Sequence, residues 1–368
     1  MSKPIYVTQP VLPELKEFIP YLEQIWENKI LTNGGPLHQQ LEQELCEYLG
    51  VDYISLFNNG TIALITALQA LNLEEGEVIT TPYTFVATAH SIVWNKLTPV
   101  FVDVDQITSN LDTQQVEYAI TEKTVAILPV HCYGIPCDVD GLQALATKHK
   151  LKLVYDAAHA FGVQYDGQSL LNYGDLSTIS FHATKVFNTF EGGAIVCHSL
   201  EMKQRIDQLK NFGIVDETTV DDISLNGKLS EIHAALGLLQ LKTMNQTLHD
   251  RGKVDDCYRE LLANIDGIRC IDRQKVEKDN YAYFPIIISE PYPLSRDELF
   301  EELKQHNIFA RKYFYPLMTE LSIYKKYRAN TPNAKLLSGQ VLCLPMYPTL
   351  TINEIQKIVQ VIKDGIGQ

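Results

Sequence analysis

Lys152-Leu153-Val154-Tyr155-Asp156-Ala157-Ala158-His159 decides the fold. A short apolar run that stops on a carboxylate reads as a buried strand whose last residue emerges at the end of a sheet. In open α/β sheets the carboxyl ends of parallel strands are where ligands bind, so an acid there invites a chemical reading. A helix N-cap would also explain Asp156 on its own. Comparable runs lie at Tyr53–Phe57, Val78–Thr81, Val100–Val104 and Val125–Val130, with helix-patterned segments between them. Leu37–Leu49 has apolar residues at helical spacing and stops at Gly50, a residue suited to close a helix. After the Asn58-Asn59-Gly60 turn, Thr61–Leu71 is rich in Ala and Leu. Helices and strands alternating between Leu37 and Phe212 predict an α/β domain on a mostly parallel sheet.

Beyond it the pattern changes. Ile232, Leu236, Leu239, Leu241, Met244 and Leu248 predict one long amphipathic helix from Ser230 to about Leu262, followed by a strand-rich Tyr281–Ile288. Arg296–His306 and Ile352–Ile366 read as helices of a smaller α+β lobe. A chain of 368 residues exceeds what a single core usually holds, which places a large domain at 1–245 and a small one at 246–368.

Composition narrows the function. Apolar residues are 45% and charged residues 21% of the chain, as in an ordinary globular protein. A formal charge of −14 disfavours general attraction to nucleic acid or an anionic membrane, so an anionic ligand must be held by placed donors. Seven cysteines, an odd number without CxxC pairs or histidines at zinc spacing, predict reduced and mostly buried thiols and no metal. With no basic segment leading into an apolar run, and no stretch of about 18 apolar residues, a cytoplasmic location is the expectation.

The second informative stretch is Ser180-Phe181-His182-Ala183-Thr184-Lys185, which precedes Glu191-Gly192-Gly193-Ala194-Ile195-Val196. A lysine in a turn flanked by strands can project into a cleft. Taken alone, a lysine is ordinarily a solvated surface charge. Paired with Asp156, it supplies what pyridoxal 5′-phosphate (PLP) chemistry requires: an amine for the aldehyde, and a carboxylate that keeps the pyridine nitrogen protonated. Asn59-Gly60-Thr61, at a strand-to-helix turn, adds a third element. Helix N-termini present unpaired N–H groups, and glycine lets a phosphate approach. Such turns also contain Gly and Thr for structural reasons alone. Ser180 can add a hydroxyl to the same cup.

Together Thr81-Pro82-Tyr83-Thr84-Phe85-Val86-Ala87-Thr88, Asp156-Ala157-Ala158-His159-Ala160-Phe161-Gly162, Ser180-Phe181-x-x-x-Lys185 and Glu191-Gly192-Gly193 have the order and spacing seen in the DegT/DnrJ/EryC1/StrS sugar aminotransferases, which the chain resembles over nearly its whole length. The resemblance implies a fold-type I PLP enzyme acting as a homodimer, with L-glutamate as amino donor and a nucleotide-linked keto sugar as acceptor. It implies that Lys185 carries the cofactor as a Schiff base and that Asp156 pairs with the ring nitrogen. Gly60, Thr61 and Ser180 would hold the phosphate, Phe85 would stack on the ring, and His159, where many members have Gln, would meet the ring hydroxyl. Asn226 would reach the cofactor phosphate of the partner subunit, with Lys228 where an arginine is usual. Gly34 and Gly35, in Thr32-Asn33-Gly34-Gly35-Pro36, and Arg311 and Tyr313, in Arg311–Leu317, would contact substrate. His182, three residues before the lysine, reads as a packing residue or as one that supports the residues touching the cofactor.

Within the family, the run from His182 to Glu191 is similar to that of members that convert dTDP-4-keto-6-deoxy-D-glucose to dTDP-4-amino-4,6-dideoxy-D-glucose, and such products feed surface polysaccharides or glycosylated natural products. Amination at C3, or axial delivery at C4, is the alternative. Sugar dehydratases of this kind carry His at the position of Lys185. A silent binding relative would not need Asp156, Lys185 and Gly60-Thr61 intact. A nicotinamide-dependent oxidoreductase would need a GxGxxG turn, which does not occur.

Overall fold

A computed structural model describes residues 3–73, 75–273, 276–327 and 329–367. Its centre is a seven-stranded sheet in the order Tyr53–Phe57, Gly193–Cys197, Leu176–Ser180, Lys152–Asp156, Thr124–Leu128, Glu77–Thr80, Thr98–Phe101. Gly193–Cys197 runs antiparallel to both neighbours, and the other pairings in this sheet are parallel. Helices cover both faces, which is why these strands are apolar along nearly their whole length and do not alternate. Among the described residues no helix is long and apolar enough to cross a membrane, and the seven cysteines are free thiols, four of them buried.

The reversed strand fixes where the chemistry sits. Ser180 ends its strand opposite Gly193, the first residue of the returning one, so residues 181–192 form a loop over the carboxyl end of the sheet. In the adjacent pairing Asp156 lies beside Thr178. Lys185 and Asp156 are thereby delivered to the same end of the sheet.

The second lobe contains an antiparallel sheet of Ile268–Cys270, Phe284–Ile288 and Val341–Leu344. The helices Met244–Leu262, Arg296–Gln305 and Ile352–Asp364 share its core, which includes Val254, Tyr258, Phe284, Leu299 and Ile358. Ile5 is buried in that core as well, because the short strand Ile5–Tyr6 pairs with Ile308–Phe309.

Two elements differ from expectation. The pattern from Ser230 to Leu262 is two helices, Glu231–Lys242 and Met244–Leu262, interrupted at Thr243. Both the N–H and the hydroxyl of Thr243 turn back to the Gln240 carbonyl at 3.2 Å, which tightens the last turn and ends the first helix. That helix is buried on nearly all sides, whereas the following one buries one face. The strand expected from Tyr281 begins at Phe284. Arg251 is the reason: its guanidinium donates to the carbonyls of Tyr281, at 2.6 Å, and Ala282, at 3.0 Å, and so takes acceptors a ladder would use.

Candidate active site

A cavity of about 410 Å³ opens between the lobes at the carboxyl end of the large sheet. Gly60, Thr61, Phe85, Asp156, His159, Ser180 and Lys185 line it from the sheet side, and Tyr283, Arg311, Tyr313 and Phe314 from the second lobe. Nine of the twelve residues given a cofactor or substrate role from the sequence therefore meet in one space.

Asp156 is 4% exposed. Its Oδ2 accepts the Thr88 hydroxyl at 2.7 Å and its Oδ1 the Ala158 amide at 3.1 Å. Burial pushes its carboxyl above the usual range, while those two donors and the Lys185 charge pull it back. The Lys185 amine is pushed down to about 8 by burial, with Asp156 opposing. A neutral fraction is thus available near neutrality, as a base or nucleophile requires. Its Nζ lies 3.5 Å from the Tyr283 hydroxyl, a phenol that burial keeps protonated.

The helix Gly60–Ala70 aims its N-terminus at the same space. Asn59 caps it by accepting the Ile62 N–H at 2.9 Å. Among the described residues the Gly60 and Thr61 amides find no protein acceptor, so two donors and the positive end of the helix face the cavity. Packing here is close: a Cβ on Gly60 would lie 3.0 Å from Ser180 Cβ, and one on Gly193 would lie 2.7 Å from the Gly60 nitrogen. Both glycines are explained by that approach. Phe85, 60% exposed, stands at the mouth as N-cap of the helix Val86–Trp94.

Of its two expected roles, His182 takes the supporting one beside the site and not that of a packed core residue. It lines the cavity with its side chain 46% exposed, bonded through Nδ1 to the Thr184 hydroxyl at 2.8 Å and 3.5 Å from Glu191. The loop it occupies faces solvent, so no core receives it.

Gly34, Gly35 and Asn226 do not line this chain's cavity. Gly34 borders a separate hollow of about 270 Å³ with His38, Glu42, Lys210 and Lys228. Gly35 is the N-cap of the helix Pro36–Leu49, against Glu231, whose carboxylate accepts the Leu37 and His38 amides at 2.9 and 2.8 Å. A Cβ on Gly35 would stand 2.6 Å from Glu231 Cδ, so glycine is required by this long-range cap. The Asn226 carbonyl accepts the Asn58 side-chain amide at 3.3 Å. Lys228 bonds Asn211 Oδ1 at 2.8 Å and lies over the Phe212 ring.

Sequence reasoning passed over Thr88, Tyr283 and Phe314 as site residues. Thr88 was in view, at the end of the Thr81–Thr88 stretch, but nothing local pairs it with Asp156.

The chain as a whole is similar to several known proteins. The chain is 57% identical over 366 residues to a dTDP-4-amino-4,6-dideoxy-D-glucose transaminase of Shigella dysenteriae, covering 99% of this chain and 100% of that protein. It is 51% identical to an Escherichia coli protein of the same name, covering 98% of each. Its fold is similar to that of DesI solved in the presence of its TDP-sugar product, with a TM-score of 0.95 and 34% identity over 100% of this chain and 94% of that one. It is also similar to Helicobacter pylori PseC, an aminotransferase of pseudaminic acid biosynthesis, at a TM-score of 0.93 and 27% identity over 99% and 100%. Residues 14–363 match the DegT/DnrJ/EryC1/StrS aminotransferase family, and the chain belongs to it as an α/β enzyme of fold-type I.

Proposed function

We propose that this protein transfers an amino group from L-glutamate to C4 of dTDP-4-keto-6-deoxy-D-glucose, giving dTDP-4-amino-4,6-dideoxy-D-glucose and 2-oxoglutarate, with PLP in the cavity between the lobes. The observation that carries the cofactor is the convergence of the Lys185 amine, the buried Asp156 carboxylate and an unengaged helix N-terminus on one space. The sugar rests on the two near-full-length relatives named for that product.

When bound, PLP supplies an aldehyde for amines and a protonated ring that accepts an electron pair. Lys185 would hold it covalently through Nζ. Asp156 would keep the proton on the ring nitrogen, and Thr88 and Ala158 fix the direction in which its carboxylate points. Gly60, Thr61 and Ser180 would bind the phosphate, Phe85 would cover one ring face, and His159 would meet the ring hydroxyl. Released as a neutral amine, Lys185 would carry a proton between the substrate carbon and C4′ of the cofactor, and its low affinity for the proton suits that work. Arg311 and Tyr313 would contact the nucleotide sugar from the second lobe. In a homodimer, Asn226 would reach the phosphate in the partner subunit's site, and Gly34 and Gly35 would lie over substrate. The domains would divide at 245/246, and the reaction would run in the cytoplasm.

The test is to incubate the purified protein with PLP, L-glutamate and dTDP-4-keto-6-deoxy-D-glucose, follow the cofactor absorbance, and identify the product by NMR. An equatorial 4-amino product is expected. Cofactor cycling with glutamate while this sugar stays untouched would leave the aminotransferase and remove the acceptor. Failure to bind PLP would remove the proposal.

A further inference from the structure

We infer that the backbone N–H of Tyr133, set in place by Gly134 and Asn280, locks His159 as its Nε2–H tautomer, so that His159 meets a cavity ligand as a hydrogen-bond donor and never as a base. The consequence for the ligand rests on the cofactor reading above; the tautomer does not.

The ring is held on its protein-facing side. Tyr133 N–H donates to His159 Nδ1 at 3.2 Å, in a buried position. A nitrogen that accepts carries no proton, so in the neutral imidazole the proton is on Nε2. Turning the ring over would place a C–H against the Tyr133 amide and leave a buried donor unsatisfied. Phe314 lies parallel to the imidazole at 6.0 Å between centroids, and Tyr283 meets it edgewise at 4.8 Å. Burial, and then the Lys185 charge, hold His159 well below its ordinary protonation range, so the second proton is refused.

The donor is itself held. Tyr133 has the left-handed φ of 58°, uncommon for a large side chain. Its hydroxyl donates to the Tyr313 carbonyl at 2.5 Å and lies 2.7 Å from the Tyr83 hydroxyl. Gly134 follows at φ 85°, where a Cβ would come within 2.8 Å of the His159 carbonyl oxygen and 2.9 Å of Asn280 Oδ1. Asn280, fully buried, donates from Nδ2 to the carbonyls of His159, at 2.7 Å, and Phe161, at 3.0 Å. The ring is thus fixed through Tyr133 and the backbone through Asn280. A donor in that position suits a phenolic oxygen of the cofactor ring and leaves Lys185 as the proton carrier.

The experiment is long-range ¹H–¹⁵N NMR of the apoprotein with ¹⁵N-labelled histidine, the His159 signals being those lost in His159→Gln. From pH 6 to 9 the expected pattern is a pyrrole-like Nε2 and a pyridine-like Nδ1 that do not move. The reverse pattern, averaged shifts or a doubly protonated ring would overturn the proposal, whatever the protein does with PLP. Gly134→Ala should displace the Tyr133 amide and average the two nitrogens. A folded Gly134→Ala protein with wild-type His159 shifts would remove Tyr133 as the cause. In the PLP-loaded protein, His159→Ala should raise the pH midpoint of the cofactor absorbance change by roughly one unit and His159→Gln should restore it, since only a donor is required. Equal midpoints in all three proteins would sink the donor role. Failure of the wild type to take up PLP would instead sink the cofactor reading and leave the tautomer standing.

Discussion

Asp156, Ser180 and Gly60 face the cavity from the ends of paired strands or the first turn of a helix, whereas Arg311, Tyr313 and Phe314 face it from an irregular segment of the second lobe. That segment is held by Arg311 and Cys343, which exchange backbone hydrogen bonds at 3.1 and 2.8 Å, by the Ser338 hydroxyl on the Phe314 carbonyl, and by Tyr133 on the Tyr313 carbonyl. On the sheet side, a displaced group would have to carry a strand register with it. On the lobe side, side chains can change while the backbone contacts stay. From this contrast we propose that reaction chemistry belongs to the sheet wall and substrate choice to the other, the usual division between scaffold and loop.

Substitutions on the two walls should therefore fail in different ways. The largest effect is expected from Lys185→Ala: turnover in steady-state assays falls at least about a thousandfold, because both the attachment point and the proton carrier are lost. Full activity in this variant would break the assignment of the sheet wall to chemistry. Asp156→Asn, nearly identical in shape, should still bind PLP by absorbance but lose on the order of a hundredfold in kcat, since an amide does not hold a proton on the ring nitrogen. Arg311→Met should act on the other parameter, raising KM for the nucleotide sugar about tenfold with kcat nearly unchanged, as expected for a lost charge-assisted contact. A fall in kcat without a rise in KM would move Arg311 to the chemical wall and erase the contrast.

The same contrast explains what the sequence disclosed. Asp156 and Gly60 could be found because each sits where a hydrophobic period stops, and a period is a local signal. Lys185 became visible through its spacing from Asp156 and the glycines at 192 and 193, and Gly193 proved necessary for the approach of its strand to the Asn59–Gly60 peptide. Thr88 stayed hidden because its hydrogen bond to Asp156 spans 68 residues. Tyr283 stayed hidden because Arg251 keeps its neighbours out of the ladder, which shifts the start of the strand. The interruption at Thr243 was equally illegible: apolar spacing runs through it, and only the bonds back to Gln240 reveal it. Gly35 carried a recognisable glycine signal, but its cause is the remote cap by Glu231. Asp156, Lys185, Gly60 and Ser180 on the sheet wall were read from pattern, whereas Phe85 and His159 on that wall, and Arg311 and Tyr313 on the lobe wall, required the resemblance.

The smallest effect tests whether the sheet wall is tuned for function at a cost in stability. Lys185 binds its proton less tightly in the folded apoprotein, at about 8, than in the unfolded chain, where a lysine titrates near 10.4. Between these values the unfolded state carries more protons, so stability must rise with pH across that window. Below about pH 8 both states are protonated and the full penalty is present; above about pH 10.4 both are neutral and it vanishes. Lys185→Met keeps the apolar stem without the charge, so the apoprotein should gain about 1–3 kcal/mol at pH 7, discounted for the partial exposure of the side chain. The gain should shrink steadily toward pH 10 in paired urea denaturations of wild type and variant. A variant less stable than wild type at pH 7, or a gain that does not change with pH, would show that Asp156 fully compensates the buried amine, leaving the sheet wall no more strained than the lobe wall.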